Sequence, residues 1–277
     1  MIRVKKKCLV IMMLLLLSVL IIGWIWYGNC TLEVNEISIV NSRIPNSFNG
    51  FKIVQISDLH GAEIGKNNAI LISKTKDENP DIIVITGDMI DRRRKETDAA
   101  IKLSGELTKI APTYYVTGNH EASIRKIYEE FKEELVKNDV IVLENKAVDI
   151  VVENETITLI GLQDTGFDLK TGIDYLLKGA LPENDNYKIL LAHRPEYFDK
   201  YSGVDLIFSG HAHGGQFRVP YLGGLFAPGQ GILPKYDGGV YYEDNRAMVV
   251  SRGIGNSLFP FRVNNNPEIV TITLKNE

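Results

Sequence analysis

The chain has 277 residues, 24 % charged and 44 % hydrophobic, an ordinary globular composition with enough apolar material for a sizeable core. Its formal net charge is −4; Arg3, Lys5, Lys6 and Lys7 carry +4 before the first acid, Glu33, so the remainder stands at −8. An acidic body argues against a surface that coats nucleic acid, but not against a phosphate substrate, because bound metal ions dominate the local field.

Cys8 to Tyr27 contains no charged residue and matches the length a helix needs to cross about 30 Å of hydrocarbon. The preceding Arg3 and Lys5 to Lys7 predict a cytoplasmic N-terminus, and Trp24, Trp26 and Tyr27 stand where aromatic rings favour the far interface. A cleaved signal peptide is the rival reading. Large side chains crowd the end of the segment, no small-x-small site precedes Cys30, no twin arginine is present, and Tyr27, Gly28 and Asn29 are a poor approach to a lipoprotein cysteine. The expected division is a cytoplasmic basic flank at 1–7, a transmembrane signal anchor at 8–28, and one extracytoplasmic α/β domain at 29–277. Cys8 and Cys30, on opposite sides of the membrane in this reading, cannot form a disulfide, since bridged Cα atoms lie within roughly 7 Å.

Thr31 to Val40 reads as a strand leaving the membrane. Phe51 to Ile56, Asp81 to Thr86 and Thr113 to Thr117 are short apolar runs that predict buried strands. Between and after them, Asn67 to Glu78, Glu96 to Ile110 and Ala122 to Lys137 are expected helices; the last shows Ile124, Ile127, Phe131 and Leu135 on one face. Val140 to Leu143, Ala147 to Val152 and Thr156 to Leu162 are β-rich and read as hairpins. Gly172 to Lys178 is a short helix, and Lys188 to Leu191 and Asp205 to Phe208 are further buried strands. Phe217 to Tyr236 is a long loop rich in Gly and Pro, and Gly239 to Tyr242, Arg246 to Val250 and Ile269 to Leu274 close the chain as strands. This order implies a layered α/β domain with two sheets face to face and helices outside.

The polar residues fall at the ends of the buried strands. Asp58-Leu59-His60 follows the first, Gly87-Asp88 the second and Gly118-Asn119-His120-Glu121 the third; Ala192-His193-Arg194 and Gly210-His211-Ala212-His213 follow two more. Ligands in α/β sheets collect at the carboxyl ends of strands. Each motif alone has an ordinary explanation: an N-capping Asp, a turn Gly, a satisfied surface His. Those explanations do not account for all five histidines of the chain lying in these segments. Asp, Asn and His delivered to one rim are what a polynuclear metal site needs.

The series Asp-x-His, Gly-Asp, Gly-Asn-His-Glu, His, Gly-His-x-His resembles the calcineurin-like metallophosphoesterase superfamily, from Phe51 to about His213. The resemblance implies a four-layered αββα sandwich. It implies one metal held by Asp58, His60, Asp88 and His213, a second held by Asp88, Asn119, His193 and His211, and Asp88 bridging both. His120 would act on the substrate and not on a metal. Such donors suit Mn, Fe or Zn, and the implied chemistry is phosphoester hydrolysis by a two-metal-activated hydroxide. The Gly-His-x-His-Gly-Gly-Gln extension resembles a membrane-associated bacterial branch that includes enzymes resembling UDP-diacylglucosamine pyrophosphohydrolases. A phosphodiester or pyrophosphate in a lipid or envelope precursor is therefore the expected substrate. A phosphomonoesterase or nucleotide phosphatase, and a non-enzymatic membrane-tethered interaction module, are the alternatives; the complete ligand set and His120 weigh against the last.

Arg92, Arg93 and Arg94, Arg194 and Arg252 are candidates for a second phosphate or acidic head group, against the simpler reading of solvated basic loops. The apolar residues of Phe217 to Tyr236, which follow the last His motif, would either pack beneath the loop or meet a lipid.

Overall fold

The computed structural model of the chain describes residues 2–168, 170–256 and 259–277. Helix α1 (Ile2–Cys30) comes first. Its stretch Leu9–Cys30, 22 residues long, is apolar and unburied, and is long enough to cross a bilayer as an anchor or a signal sequence does. The next half comprises β1 (Glu33–Val40), β2 (Lys52–Ile56), α2 (Ala69–Asp77), β3 (Ile82–Thr86), α3 (Asp98–Leu107), β4 (Thr113–Val116), α4 (Asn119–Ser123), α5 (Arg125–Lys137) and β5 (Ile141–Val142). The second half begins with β6 (Lys146–Val152), β7 (Glu155–Gly161), α6 (Ile173–Ala180), β8 (Tyr187–Leu191) and β9 (Leu206–Ser209). Four two-residue strands follow, β10 (Arg218–Val219), β11 (Gly223–Gly224), β12 (Phe226–Ala227) and β13 (Gly231–Ile232), then β14 (Gly239–Glu243), β15 (Arg246–Val250) and β16 (Glu268–Lys275).

The strands form two mixed six-stranded sheets, ordered β1-β16-β2-β3-β4-β5 and β14-β15-β9-β8-β7-β6. β2 to β5 run parallel in the first, and β7, β8, β9 and β15 run parallel in the second. Alternation along each strand explains the continuous apolar runs, since a strand between two layers buries both faces. Ile53, Val84, Val116, Leu159, Leu191 and Phe208 fill the space between the sheets. Val54, Ile56, Ile83, Ile85 and Tyr115 point the other way, onto Leu71, Leu103, Phe131 and Leu135 of the helices. On the outer face of the second sheet, Leu190, Ile207 and Met248 pack on Ile173 and Leu177 of α6. The result is an αββα sandwich.

Three local details differ from the sequence reading. β5 pairs with β4 in the first sheet and forms no hairpin with β6, while β6 and β7 do form one. The helix expected from Ala122 to Lys137 starts at Asn119 and breaks at Ile124 (φ −129°, ψ 45°), so its buried stripe runs through Tyr128 in place of Ile127. The loop Phe217 to Tyr236 folds into two small antiparallel ladders, β10–β11 and β12–β13.

Ile272 of β16 is fully buried between the sheets. Ile272→Ala is expected to lower the unfolding free energy by about 2–5 kcal/mol, read as a shift of the denaturation midpoint with an unchanged slope.

Candidate metal centre

The parallel strands of both sheets end at one rim. β2 delivers Asp58 and His60, β3 Asp88, β4 Asn119 and His120, β8 His193, and β9 His211 and His213. Gln55 links the two sheets there, its amide donating to Thr86 Oγ1 (2.9 Å) and to the Ser209 carbonyl (2.8 Å). Asp58, His60, Asp88, His211 and His213 all adopt left-handed backbone conformations, with φ between 48° and 65°. Non-glycine residues rarely occupy this region, and such strain gathers at functional sites.

Two donor sets result, and Asp88 belongs to both. Donor atoms of Asp58, His60, Asp88 and His213 lie within 4.8 Å of one another, as do those of Asp88, His193 and His211. In the first set His60 Nε2 is 3.0 Å from His213 Nε2 and 3.7 Å from Asp88 Oδ2, and His213 Nε2 is 3.4 Å from Asp58 Oδ1. In the second, His193 Nε2 is 3.4 Å from Asp88 Oδ2, 3.1 Å from His211 Nδ1 and 3.2 Å from Asn119 Oδ1. All the expected ligands thus meet around two points.

The contacts around His193 test whether cations fit. His193 Nδ1 lies 2.7 Å from the Thr86 carbonyl and donates its proton there. Its Nε2 then faces a carboxylate, an amide oxygen and a second imidazole nitrogen. So many lone pairs converging in a buried space require a proton or a metal ion among them. Without metal the proton wins: burial opposes charging His193, but the Asp88 carboxylate overrides it and raises the imidazole to about 10. Burial leads in holding His60 down at about 3, and it holds His211 and His213 low as well, so their lone pairs stay available. His60 Nδ1 and His211 Nε2 are buried without a hydrogen-bond partner among the described residues. The donor set fits two divalent ions.

Several neighbours that sequence reasoning missed hold these ligands. Glu121, fully buried, accepts the backbone N–H of Asp88 (3.0 Å), Gly118 (2.8 Å) and Ile90 (3.1 Å), tying two ligand loops together. Burial first, and the Asp88 charge second, push its carboxyl up to about 8. Ser57 donates to Asp58 Oδ2 (2.6 Å), and the His211 N–H donates to both Asp58 oxygens. A Cβ at Gly118 would overlap Asp88, and one at Gly210 would overlap Ser57 and Asp58. Glu121 and these glycines were visible in the motifs, but their spatial work was not.

His120 lies beside the first set, its ring centroid 4.4 Å from that of His60. Its Nδ1 accepts the Arg92 N–H at 3.1 Å, which leaves the ring's proton on Nε2. With Asp91 and His60 it forms a third close group. Of the basic candidates, Arg194 pairs with Asp164 (2.7 Å) and Glu196, and Arg252 with Glu268 (2.7 Å) and Glu33 (2.6 Å), so both are committed to the scaffold. Arg93 pairs with Asp91, and Arg94 donates to the His60 carbonyl. The exposed Arg92 guanidinium has no partner among the described residues.

This geometry defines a hydrolase with a binuclear metal centre. The chain belongs to the calcineurin-like phosphoesterase family, which residues 51–215 match. It is 30 % identical to the uncharacterized metallophosphoesterase YkoQ of Bacillus subtilis, over 86 % of this chain and 88 % of that one. It is also 30 % identical to phosphodiesterase YaeI of Escherichia coli, over 81 % of this chain and 82 % of that one. A transmembrane protein with metallophosphoesterase domain from Danio rerio is 28 % identical over 88 % of this chain and 57 % of its own length.

Gly118→Ala is expected to displace Asp88 and weaken metal binding roughly 10–100-fold. Gly172→Ala, with nothing within 4 Å of the added methyl, should leave it unchanged. Metal content after dialysis against graded chelator distinguishes the two.

Proposed function

We propose that the chain is a membrane-tethered phosphodiesterase or pyrophosphohydrolase whose substrate is a lipid or envelope phosphoester. The observation that carries the catalytic part is Asp88 Oδ2 shared between two buried His-containing donor sets. Asp58, His60, Asp88 and His213 would hold one metal, and Asp88, Asn119, His193 and His211 the other. Carboxylate, amide and imidazole donors suit Mn, Fe or Zn, and manganese is the first to try. When bound, such a pair supplies an activated water and positive charge for the phosphoryl oxygens.

The protein's own groups do the rest. His120 carries its proton on Nε2, held there by the Arg92 N–H at Nδ1, and donates it to the departing oxygen. Burial keeps this imidazole below its ordinary pKa, so it is a neutral acid at physiological pH. The Arg92 guanidinium, on the same turn, is free to meet a phosphoryl oxygen. Glu121 fixes the turns bearing Asp88 and Asn119, so neither ligand has to be organised during the reaction. The diester reading is supported by the similarity to the E. coli phosphodiesterase YaeI.

Full-length chain in detergent, stripped of metal, is expected to be inactive on aryl phosphodiesters and to recover with Mn²⁺, Fe²⁺ or Zn²⁺. Asp88→Asn should abolish that recovery, while His120→Ala should keep the metal and lower kcat by roughly 10²–10⁴. Activity that survives metal removal or Asp88→Asn would end the two-metal reading, and faster turnover of aryl monoesters would replace the diester reading.

The tether follows from α1: residues 1–7 would lie in the cytoplasm, 8–28 in the membrane and the domain 29–277 outside. Protease added to intact cells should therefore digest the domain. A protected domain would reverse the orientation.

A further inference from the structure

The hairpins after the last His motif expose side chains that water does not favour. Leu222 is 66 % and Ile232 81 % exposed, and Tyr221, Leu233, Phe259 and Phe261 are exposed with them. Such a cluster marks an interaction surface. The first hairpin and the segment bearing the two phenylalanines are joined, and Leu233 donates its N–H to the Leu225 carbonyl at 3.0 Å, which ties the second hairpin to the first. Phe217 packs on Phe259 and Phe261 with ring centroids 5.2 and 5.6 Å apart, and the β10 residue Arg218 donates its N–H to the Val263 carbonyl at 3.0 Å.

The end of α1 is fastened to this surface. The Asn29 carboxamide accepts the Arg262 N–H at 2.7 Å and donates to the Arg262 carbonyl at 2.8 Å. Arg262 directly follows Phe261 in the chain. Gly28 sits against Asn266, where a Cβ would meet the carboxamide. Trp26 and Tyr27, the rings expected at the head-group level, precede Asn29 by about 3–5 Å of helix rise. The apolar surface therefore begins at the depth where α1 would leave the hydrocarbon.

The same surface is tied to the metal centre. Gln216, three residues after His213, donates to the Phe261 carbonyl at 2.8 Å, and Asn265 donates to the His213 carbonyl at 2.8 Å. Beyond β12, Gly229 abuts Glu196, whose carboxylate is 3.8 Å from His211 Nε2.

We propose that Tyr221, Leu222, Ile232, Leu233, Phe259 and Phe261 seat the domain in the head-group layer of the bilayer that α1 enters, so that the metal centre opens onto phosphoesters held in that layer. The partner is a lipid surface. The proposal rests on the reading of α1 as an anchor and of the centre as a phosphoesterase. It adds a second, peripheral contact that fixes the height and tilt of the site above the membrane, which a tether alone does not do.

The test uses full-length chain with Cys8→Ser and Cys30→Ser, reconstituted in phosphatidylethanolamine–phosphatidylglycerol vesicles. Single cysteines replacing Leu222, Ile232 or Phe261, and Val151 on the edge strand β6 as control, carry a polarity-sensitive fluorophore. Lipids spin-labelled near the head group are expected to quench the first three labels several-fold more than the label at 151. Asn29→Ala, which leaves the span intact, should reduce quenching at 261. Quenching no greater than at 151 would overturn the proposal. So would labels that are blue-shifted yet unquenched, because another protein surface would then cover them. Quenching is read without substrate, so a failure of hydrolysis counts against the phosphoesterase reading and not against this contact. Hydrolysis without quenching does the reverse.

Discussion

The centre is organised by a surplus of lone pairs. Asp88 Oδ2 lies 3.7 Å from His60 Nε2 and 3.4 Å from His193 Nε2, and His193 Nε2 in turn faces the Asn119 amide oxygen at 3.2 Å and His211 Nδ1 at 3.1 Å. An apolar interior penalises such an arrangement heavily unless positive charge is placed inside it. The fold holds the ligands in this costly state because other groups absorb the strain. Glu121 accepts three backbone N–H groups, and Gln55 stitches the sheets together just beneath the rim. Five ligand residues in left-handed conformations complete the picture of a site organised for cations before they arrive.

Much of this was legible in the sequence, for reasons that can be named. Buried parallel strands must be apolar on both faces, so Ile82 to Ile85 and Lys188 to Leu191 announced themselves, and with them the layered fold. Polar residues just past such runs had to lie at strand ends, which placed Asp58, Asp88, Asn119 and the histidines on one rim. The break at Ile124 was invisible because it arises from Glu121 turning back to serve Gly118 and Asp88, a tertiary demand that overrides helix periodicity. The two small ladders within Phe217 to Tyr236 have no periodicity to read, since each strand is only two residues long. Arg262 carried no signal at all. It is nearly inaccessible, its backbone is clamped by Asn29, and its guanidinium reaches the Arg252 and Gly255 carbonyls, contacts that join the two ends of the chain.

The arginines illustrate how composition misleads where geometry does not. Five were candidates for binding phosphate, and by spacing alone none stood out. Arg194 and Arg252 each lie against two carboxylates, and a guanidinium held in that way has little left to offer an anion. Arg92 differs because its backbone serves His120 while its side chain reaches solvent without a partner among the described residues.

That scarcity of free protein cations bears on the substrate's charge. Two divalent ions set against the Asp58 and Asp88 carboxylates would leave the centre net positive and so attract a phosphoester to a domain that is otherwise acidic. A diester carries one negative charge on its phosphoryl oxygens, and a monoester at neutral pH carries about two. Sites built for the more highly charged group ordinarily surround it with guanidinium forks. Here the Arg92 guanidinium stands without a partner among the described residues, while Arg93, Arg194 and Arg252 lie against carboxylates of the scaffold. That balance of charge supports the proposed preference for the singly charged phosphoryl group of a diester, whose two substituents would then be recognised by the surfaces around the mouth of the site.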